Sequence, residues 1–438
     1  MLSVSHILRG YAYMYRATGN SYFLSKFVPY ADLALAQRDD KRGIKDWEGR
    51  SAAGWSNFQV GDDDYIVEIT GENRVRGVRH DSLVIEPMVD FATIIYSDSS
   101  LHAAYKAKAD EYIKAAEEVV AAHESEWKYR TFTGPFAENV PTGWYRLKYY
   151  DYLKEEYGLD IFPTFDAFNR NVTMGEALIK LGDLVGRSNY PNRSTARAAE
   201  YTKKAQAMGT LLKAHLMRVK YDNQDFYIFP NAAENVPRRV SIHPNPRLED
   251  FSHGALTMRF VQAAHQYQLR SLEDNTLLFP RAVMTRLAQM TLRLYPGNYD
   301  GIYGQIGGDL PESVAEQFDR GVVRAGTLVH TGVGDLGWVG HWAHFANFNP
   351  AVMDMVKNYY DRNLLSERGS FTRVGVGLAY LTEWHQKGSL TSVTEPDRAG
   401  SQLASVFEAT RSILARVRVS LLDPVWYALQ NFSTWLAR

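Results

Sequence analysis

The chain contains no cysteine. Disulfides, a thiol nucleophile, Cys-ligated zinc and iron–sulfur clusters are thereby excluded. Neither sign of charge is in surplus: 49 Lys and Arg stand against 50 Asp and Glu, for a formal net charge of −1. Proteins that grip duplex nucleic acid carry a basic excess to neutralise phosphates, so nucleic acid is not an expected partner. No run approaches the ~18 consecutive apolar residues of a membrane span, so no transmembrane segment is expected. The opening MLSVSHILRGYAYMYRATGN lacks the basic n-region, long apolar h-region and small-residue cleavage site of an export signal. The expected location is the cytoplasm if that start is native, and the periplasm or the exterior if a signal has been removed.

Several chemical signatures are also missing. There is no Gly-x-Ser-x-Gly elbow, and the GQIGG stretch at 304–308 lacks the Lys-Ser/Thr of a phosphate-binding loop. Asp62-Asp63-Asp64 lacks the spacing of a calcium-binding loop. His341 and His344 offer two imidazoles one helical turn apart, but no third ligand is evident. No metal and no cofactor are expected.

What remains is a chain of 438 residues, 45% apolar, long enough for one large core. Its 27 Tyr and 9 Trp supply flat apolar faces with polar handles, which suit a carbohydrate ligand as well as ordinary packing. Apolar periodicity predicts six helical hairpins: 2–18 with 21–37, 81–96 with 101–124, 169–184 with 194–219, 252–272 with 276–294, 327–348 with 350–363, and 370–385 with 401–422. The members of a pair differ. Leu101, Tyr105, Ala109, Tyr112, Ile113, Ala116 and Val120 form one apolar stripe, the mark of an outer helix. GALTMRFVQAA at 254–264 is apolar or small nearly all round, the mark of a buried inner helix.

Six inner and six outer helices in alternation predict an all-α (α/α)6 toroid over residues 1–390. A polar linker at 391–402 and C-terminal helices at 403–438 then close or pack on the ring. Turns within pairs are short, whereas connections between pairs are long, at 38–80, 125–168, 220–251 and 295–326. Loops of that length inside a compact domain usually carry function. All fall at the end where inner helices begin, so the site is expected there. A short β-hairpin is predicted within 221–231.

The inner-helix starts carry ionisable and amide groups: Arg79, His80 and Asp81; Asn169 and Asn171; Glu249, Asp250 and His253; and Arg324 ahead of the fifth. Such groups serve proton transfer and charge stabilisation. Asp81, Ser82, Asn169 and Ser252 are equally good helix caps. Histidine gains nothing from a positive helix N-terminus, which favours its neutral form, as a general base requires.

The segments RHDSLVIEPMVDFATII, FNRNVTMGEALIKLGDL and EDFSHGALTMRFVQAAH resemble the helical-toroid domains of polysaccharide lyases and related uronate-active proteins, including the helical part of glucuronyl C5-epimerases. The opening hairpin YMYRATGNSYFLSKFVPYADLAL is similar to one shared by many such toroids. The resemblance implies β-elimination from a uronic-acid-containing polysaccharide. A base removes the C5 proton, the neighbouring carboxylate is neutralised, and an acid protonates the leaving oxygen. On that reading His253 or His80 is the base, and Asn169, Asn171 and Arg79 hold the carboxylate. A tyrosine is the acid, from among Tyr145, Tyr227, Tyr299 and Tyr303. Trp55, Trp144 and Trp342 are the expected sugar-stacking faces. The same apparatus without expulsion of the leaving group gives C5 epimerisation. An inverting hydrolase would instead pair Asp81 with Glu249 or Asp250. A non-catalytic scaffold binding glycan or protein would leave the same residues as caps and packing.

Overall fold

The first hairpin forms where the periodicity places it. Helix α1 (Leu2–Thr18) turns at Gly19 and Asn20, whose side-chain oxygen accepts the Tyr22 N–H at 3.0 Å, and α2 (Tyr22–Ala36) returns. A short α3 (Asp39–Arg42) follows. The computed structural model describes residues 2–56, 74–134, 137–158, 167–233, 237–238, 241–242, 249, 251–294, 302–303, 328–329 and 336–363.

The second pair is α4 (Val78–Ser97) and α5 (His102–Ala122), joined through a turn that Asp98 caps by accepting the Ser100 N–H. Next come strands β1 (Trp127–Gly134) and β2 (Ala137–Tyr145), then α6 (Lys148–Tyr157). The third pair is α7 (Phe168–Gly186) and α8 (Thr195–Ala214), the latter capped by Ser194. Strands β3 (Met217–Tyr221) and β4 (Gln224–Ile228) precede the fourth pair, α9 (Phe251–Gln266) and α10 (Arg281–Arg293). The fifth is α11 (Leu336–Trp342), prolonged by a 3₁₀ turn to Asn347, with α12 (Ala351–Asn363). The described residues are thus mostly helical, with the two antiparallel hairpins β1–β2 and β3–β4 and two two-residue antiparallel pairings, Pro237–Arg238 with Ser241–Ile242 and Ile302–Tyr303 with Leu328–Val329. The sixth expected pair, the linker at 391–402 and the C-terminal helices lie outside the described residues.

Burial separates the helices into two kinds. In α4 every residue from Ser82 to Ala92 is buried, as is nearly all of α7. In α5 the buried set is a stripe through Ala109, Tyr112, Ile113, Ala116 and Val120, as its pattern predicts. The inner members pack in sequence order: α1 on α4, α4 on α7, α7 on α9 and α9 on α11, and α1, α4, α7 and α11 each also pack against their own return helices. His6 of α1 and His341 of α11 then meet with ring centroids 6.2 Å apart. Among the described residues no helix is long and apolar enough to cross a membrane.

Several boundaries differ from the sequence expectation. The fourth pair, expected at 252–272 with 276–294, ends its first helix at Gln266 and starts its second at Arg281, with Arg270 and Leu277 bridged between them. The helix expected to reach Val219 ends at Ala214, because MRVKY alternates and turns only Val219 fully inward, as a strand does. The hairpin therefore starts at Met217 rather than Tyr221, around Asp222 and Asn223, which take φ of 49° and 56°. The connection 125–168 contains β1 and β2, paired from Trp127↔Tyr145 to Gly134↔Ala137, and α6 as well. The fifth inner helix, expected from Thr327, begins at Leu336. Leu328–Val329 instead pairs with Ile302–Tyr303, and the glycines at 332 and 334 disfavour a helical start.

A layer of buried charge crosses the inner helices at one depth. Arg9 is the eighth residue of α1, while Glu86, Glu176 and Arg259 are each the ninth of α4, α7 and α9. Arg9 and Arg259 both donate to Glu86 Oε2, Arg259 also donates to Glu176, and Lys180 bridges Glu86, Glu176 and Asp90. Burial alone would raise the Glu86 carboxyl, but the charges of Arg9, Lys180 and Arg259 hold it well below the usual carboxylate range.

Candidate functional site

The starts of α4, α7 and α9 lie side by side. Ser82 of α4 donates to the Thr173 hydroxyl of α7 at 2.8 Å. Asn169 Nδ2 donates to Glu249 Oε2, just ahead of α9, at 3.1 Å. The exit from β4 anchors both: the Phe168 N–H donates to the Asn231 carbonyl at 2.7 Å, and the Glu249 N–H to the Phe229 carbonyl at 3.1 Å. The first turns of α4 and α7 and the residue just ahead of α9 are therefore neighbours.

His80 is half-buried in the first turn of α4. Burial lowers its basicity first, and the Arg79 and Arg170 charges lower it further against the pull of Asp81, down to about 4. The imidazole is consequently neutral at pH 7. Arg170, on α7, donates to the Tyr150 hydroxyl of α6 at 3.1 Å, so a second guanidinium stands at the same mouth. His253 lies in the first turn of α9, also half-buried.

Other expected site residues are committed to the scaffold. Asn171 Oδ1 accepts the Tyr145 N–H at 2.6 Å, tying α7 to the end of β2, and the Asn169 Nδ2 is engaged with Glu249 while its Oδ1 is buried without a hydrogen-bond partner among the described residues. Asp81 is fully buried. Its Oδ1 accepts the Trp55 N–H at 2.9 Å, and its Oδ2 lies 2.8 Å from His123 Nε2. Gly54 is needed there: it takes φ of 146°, and a Cβ on it would fall 2.4 Å from Asp81 Oδ2. The indoles expected to stack on sugar are core residues instead. Trp55 donates its ring N–H to the Ala34 carbonyl at 2.8 Å, and Trp342 is stacked on Phe345 with centroids 6.2 Å apart. Trp144 borders a cavity of about 10 Å³ shared with Phe168 and Asn171. Burial of flat apolar rings outweighs their use as platforms at all three positions. Tyr227, on β4, is half-buried with the Arg286 guanidinium 5.8 Å from its ring centroid. Asp250, Tyr299 and Arg324 lie outside the described residues.

Sequence reasoning missed Arg170, Tyr150 and His123. Arg170 stands between Asn169 and Asn171 in the sequence, at the same helix start. His123 carries a faint signal, a histidine followed by Glu124 and Glu126 at a helix end. His341 and His344 are both buried and kept neutral by burial, which depresses His344 to about 3. Among the described residues, no group of three or more His, Asp or Glu is placed to hold a metal ion. No protein-family model matches the chain, and neither does any curated protein or solved structure.

Proposed function

We propose that the chain is an (α/α)6 toroid that cleaves a uronate-containing polysaccharide by β-elimination at the end where α4, α7 and α9 begin. Five consecutive hairpins, whose inner members pack on one another in sequence order, support a ring. The apolar pattern of the sequence at 370–385 and 401–422 is that expected of a sixth pair. The observation that carries the chemistry is His80: a neutral imidazole at pH 7, flanked by Arg79 and Arg170. A base beside two guanidinium groups suits abstraction of a proton next to a carboxylate. The cations neutralise that carboxylate and stabilise the enolate-like charge that develops. In this reading His80 takes the C5 proton, with His253 as the alternative base. Arg79 and Arg170 bind the carboxylate, while Asn169 and Asn171 brace the first turn of α7. Tyr150, Tyr227 and Tyr299 are the candidates to protonate the leaving oxygen.

The hydrolase reading loses support. Asp81 and Glu249 are both buried and engaged, so neither is offered to a glycosidic oxygen or a water. Epimerisation keeps its place as the sibling outcome, since it needs the same proton abstraction without loss of the leaving group. The test is ultraviolet absorbance of the unsaturated product on a panel of uronate polymers, with solvent-deuterium incorporation at C5 read in parallel. Wild type should give one signal, and His80→Ala, shown to be folded by circular dichroism, should give neither. Silence of wild type in both assays across the panel would refute the proposal in favour of a glycan-binding scaffold.

A further inference from the structure

One buried histidine has a carboxylate at each ring nitrogen. His123, at the C-terminal end of α5 and 1% exposed, places Nε2 2.8 Å from Asp81 Oδ2 and Nδ1 2.5 Å from Glu126 Oε2. A neutral imidazole has a single N–H, so one nitrogen would set its lone pair against a carboxylate oxygen. Only the imidazolium satisfies both contacts. Asp81 also accepts the Trp55 N–H on its other oxygen.

The surroundings agree. From α4 comes Asp81, with Asp39 and Arg76 behind it. From the turn before β1 come Glu124 and Glu126, and from β2 comes Tyr145, whose ring meets His123 edge-on at 6.3 Å. The nearby cations have other partners: Arg76 Nη2 donates to Asp46 at 3.0 Å, and Lys204 of α8 pairs with Glu124. Burial would by itself remove the proton from His123, but the charge of Glu126 and the bonds to Asp81 and Glu126 outweigh it and raise the group to about 9.

We propose that His123 is a positioning residue, charged at neutral pH, that clamps Asp81 to the Trp55 amide. It thereby fixes the first turn of α4, which carries Arg79 and His80, to the loop at 54–56 and to the start of β1. A consequence for turnover rests on His80 being the base; the clamp itself does not.

The full chain labelled with ¹⁵N at its 12 histidines decides the matter. At about pH 8, where an ordinary histidine is almost wholly neutral, one residue should retain the nitrogen shifts of an imidazolium. That signal should vanish in His123→Asn. If His123→Asn fails to fold, Glu126→Gln at the rim of the cluster serves instead, and should move the retained transition down by at least about one pH unit, tenfold in proton affinity. Exchange of the Trp55 amide should be strongly protected below the transition and should accelerate above it by more than base catalysis explains. Absence of any imidazolium at that pH in wild type would overturn the proposal, as would a Trp55 amide insensitive to the transition. An inactive chain that still shows the imidazolium would remove the catalytic reading and leave the clamp standing. An active chain without it would do the reverse.

Discussion

Neutralising Glu86 should cost this protein a large part of its stability. The buried layer holds Arg9, Lys180 and Arg259 against Glu86, Glu176 and Asp90, and the partly exposed Arg16 also pairs with Asp90. Glu86 is the hub, because all three cations touch its carboxylate and Arg9 makes its ion pair there. Glu86→Gln keeps the volume, so no cavity contributes, but it leaves one surplus positive charge at a site 1% exposed. Breaking a buried ion pair from one side costs roughly 3–5 kcal/mol, to be set against a total of about 5–15 kcal/mol for a folded domain. Urea unfolding followed by tryptophan fluorescence should therefore show a loss near 4 kcal/mol, in that range. Arg9→Met in the Glu86→Gln background removes the cation left without an acceptor and should recover about 2 kcal/mol, a coupling of the size seen for residues in one network. The pH dependence has a definite sign. A carboxyl held below its unfolded value adds stability above that value and loses it as pH falls through the folded one. The gap between wild type and Glu86→Gln should accordingly be full at neutral pH and close in acid, below about pH 4. A loss under about 1 kcal/mol, or strict additivity of Glu86→Gln and Arg9→Met, would refute the view that this layer acts as one unit.

Three further outcomes follow from the same geometry. His123, raised from 6.5 to about 9, contributes stability that is complete below 6.5 and is lost as pH rises toward 9. Wild type should lose about 3 kcal/mol across that window, and thermal melts of His123→Asn should lack that alkaline limb. Gly175→Ala would put a Cβ 2.7 Å from the Phe260 ring and 3.1 Å from Met208 Sδ, where α7 meets α8 and α9. The overpacking should cost about 1–3 kcal/mol, read as a lowered urea midpoint at unchanged slope. If His80 is the base, kcat/KM should fall on the acid side only near pH 4, where the imidazole gains its proton, and not near its ordinary value of 6.5. A limb close to 6.5 would assign the role to another histidine.

How far the sequence reached depends on whether a feature is local. The five described hairpins were legible because each rests on apolar spacing and on turn residues within a few positions: Gly19 and Asn20, Asp98, Ser194. The β1–β2 hairpin was not, since Pro141 and the exposed Arg130 and Glu138 interrupt any apolar alternation, and the strands are fixed by pairing with each other. The convergence of inner-helix starts followed from topology alone, but the use of each side chain did not. Trp55 reads in sequence as a loop aromatic open to ligand. Its backbone and ring N–H groups are claimed by Asp81 and Ala34, 26 and 21 residues away.

The ionic layer makes the same point more sharply. Arg9, Glu86, Glu176 and Arg259 look individually like polar interruptions in apolar helices, the pattern of a wet face. Their common position, eight or nine residues into four different helices, is visible only once the helices are known to start level. That level start has a functional consequence. The groups that suit chemistry, Arg79, His80, Asn169, Arg170 and His253, occupy the first turn of their helices; Arg9, Glu86, Glu176 and Arg259 occupy the third, with Asp90 and Lys180 one turn further on. At 1.5 Å per residue the two tiers are roughly 10 Å apart along the axis. Arg9, Glu86, Glu176 and Arg259 are all buried at that depth, below the turn that carries His80. Substitutions in the lower tier should change stability first, and activity only through it.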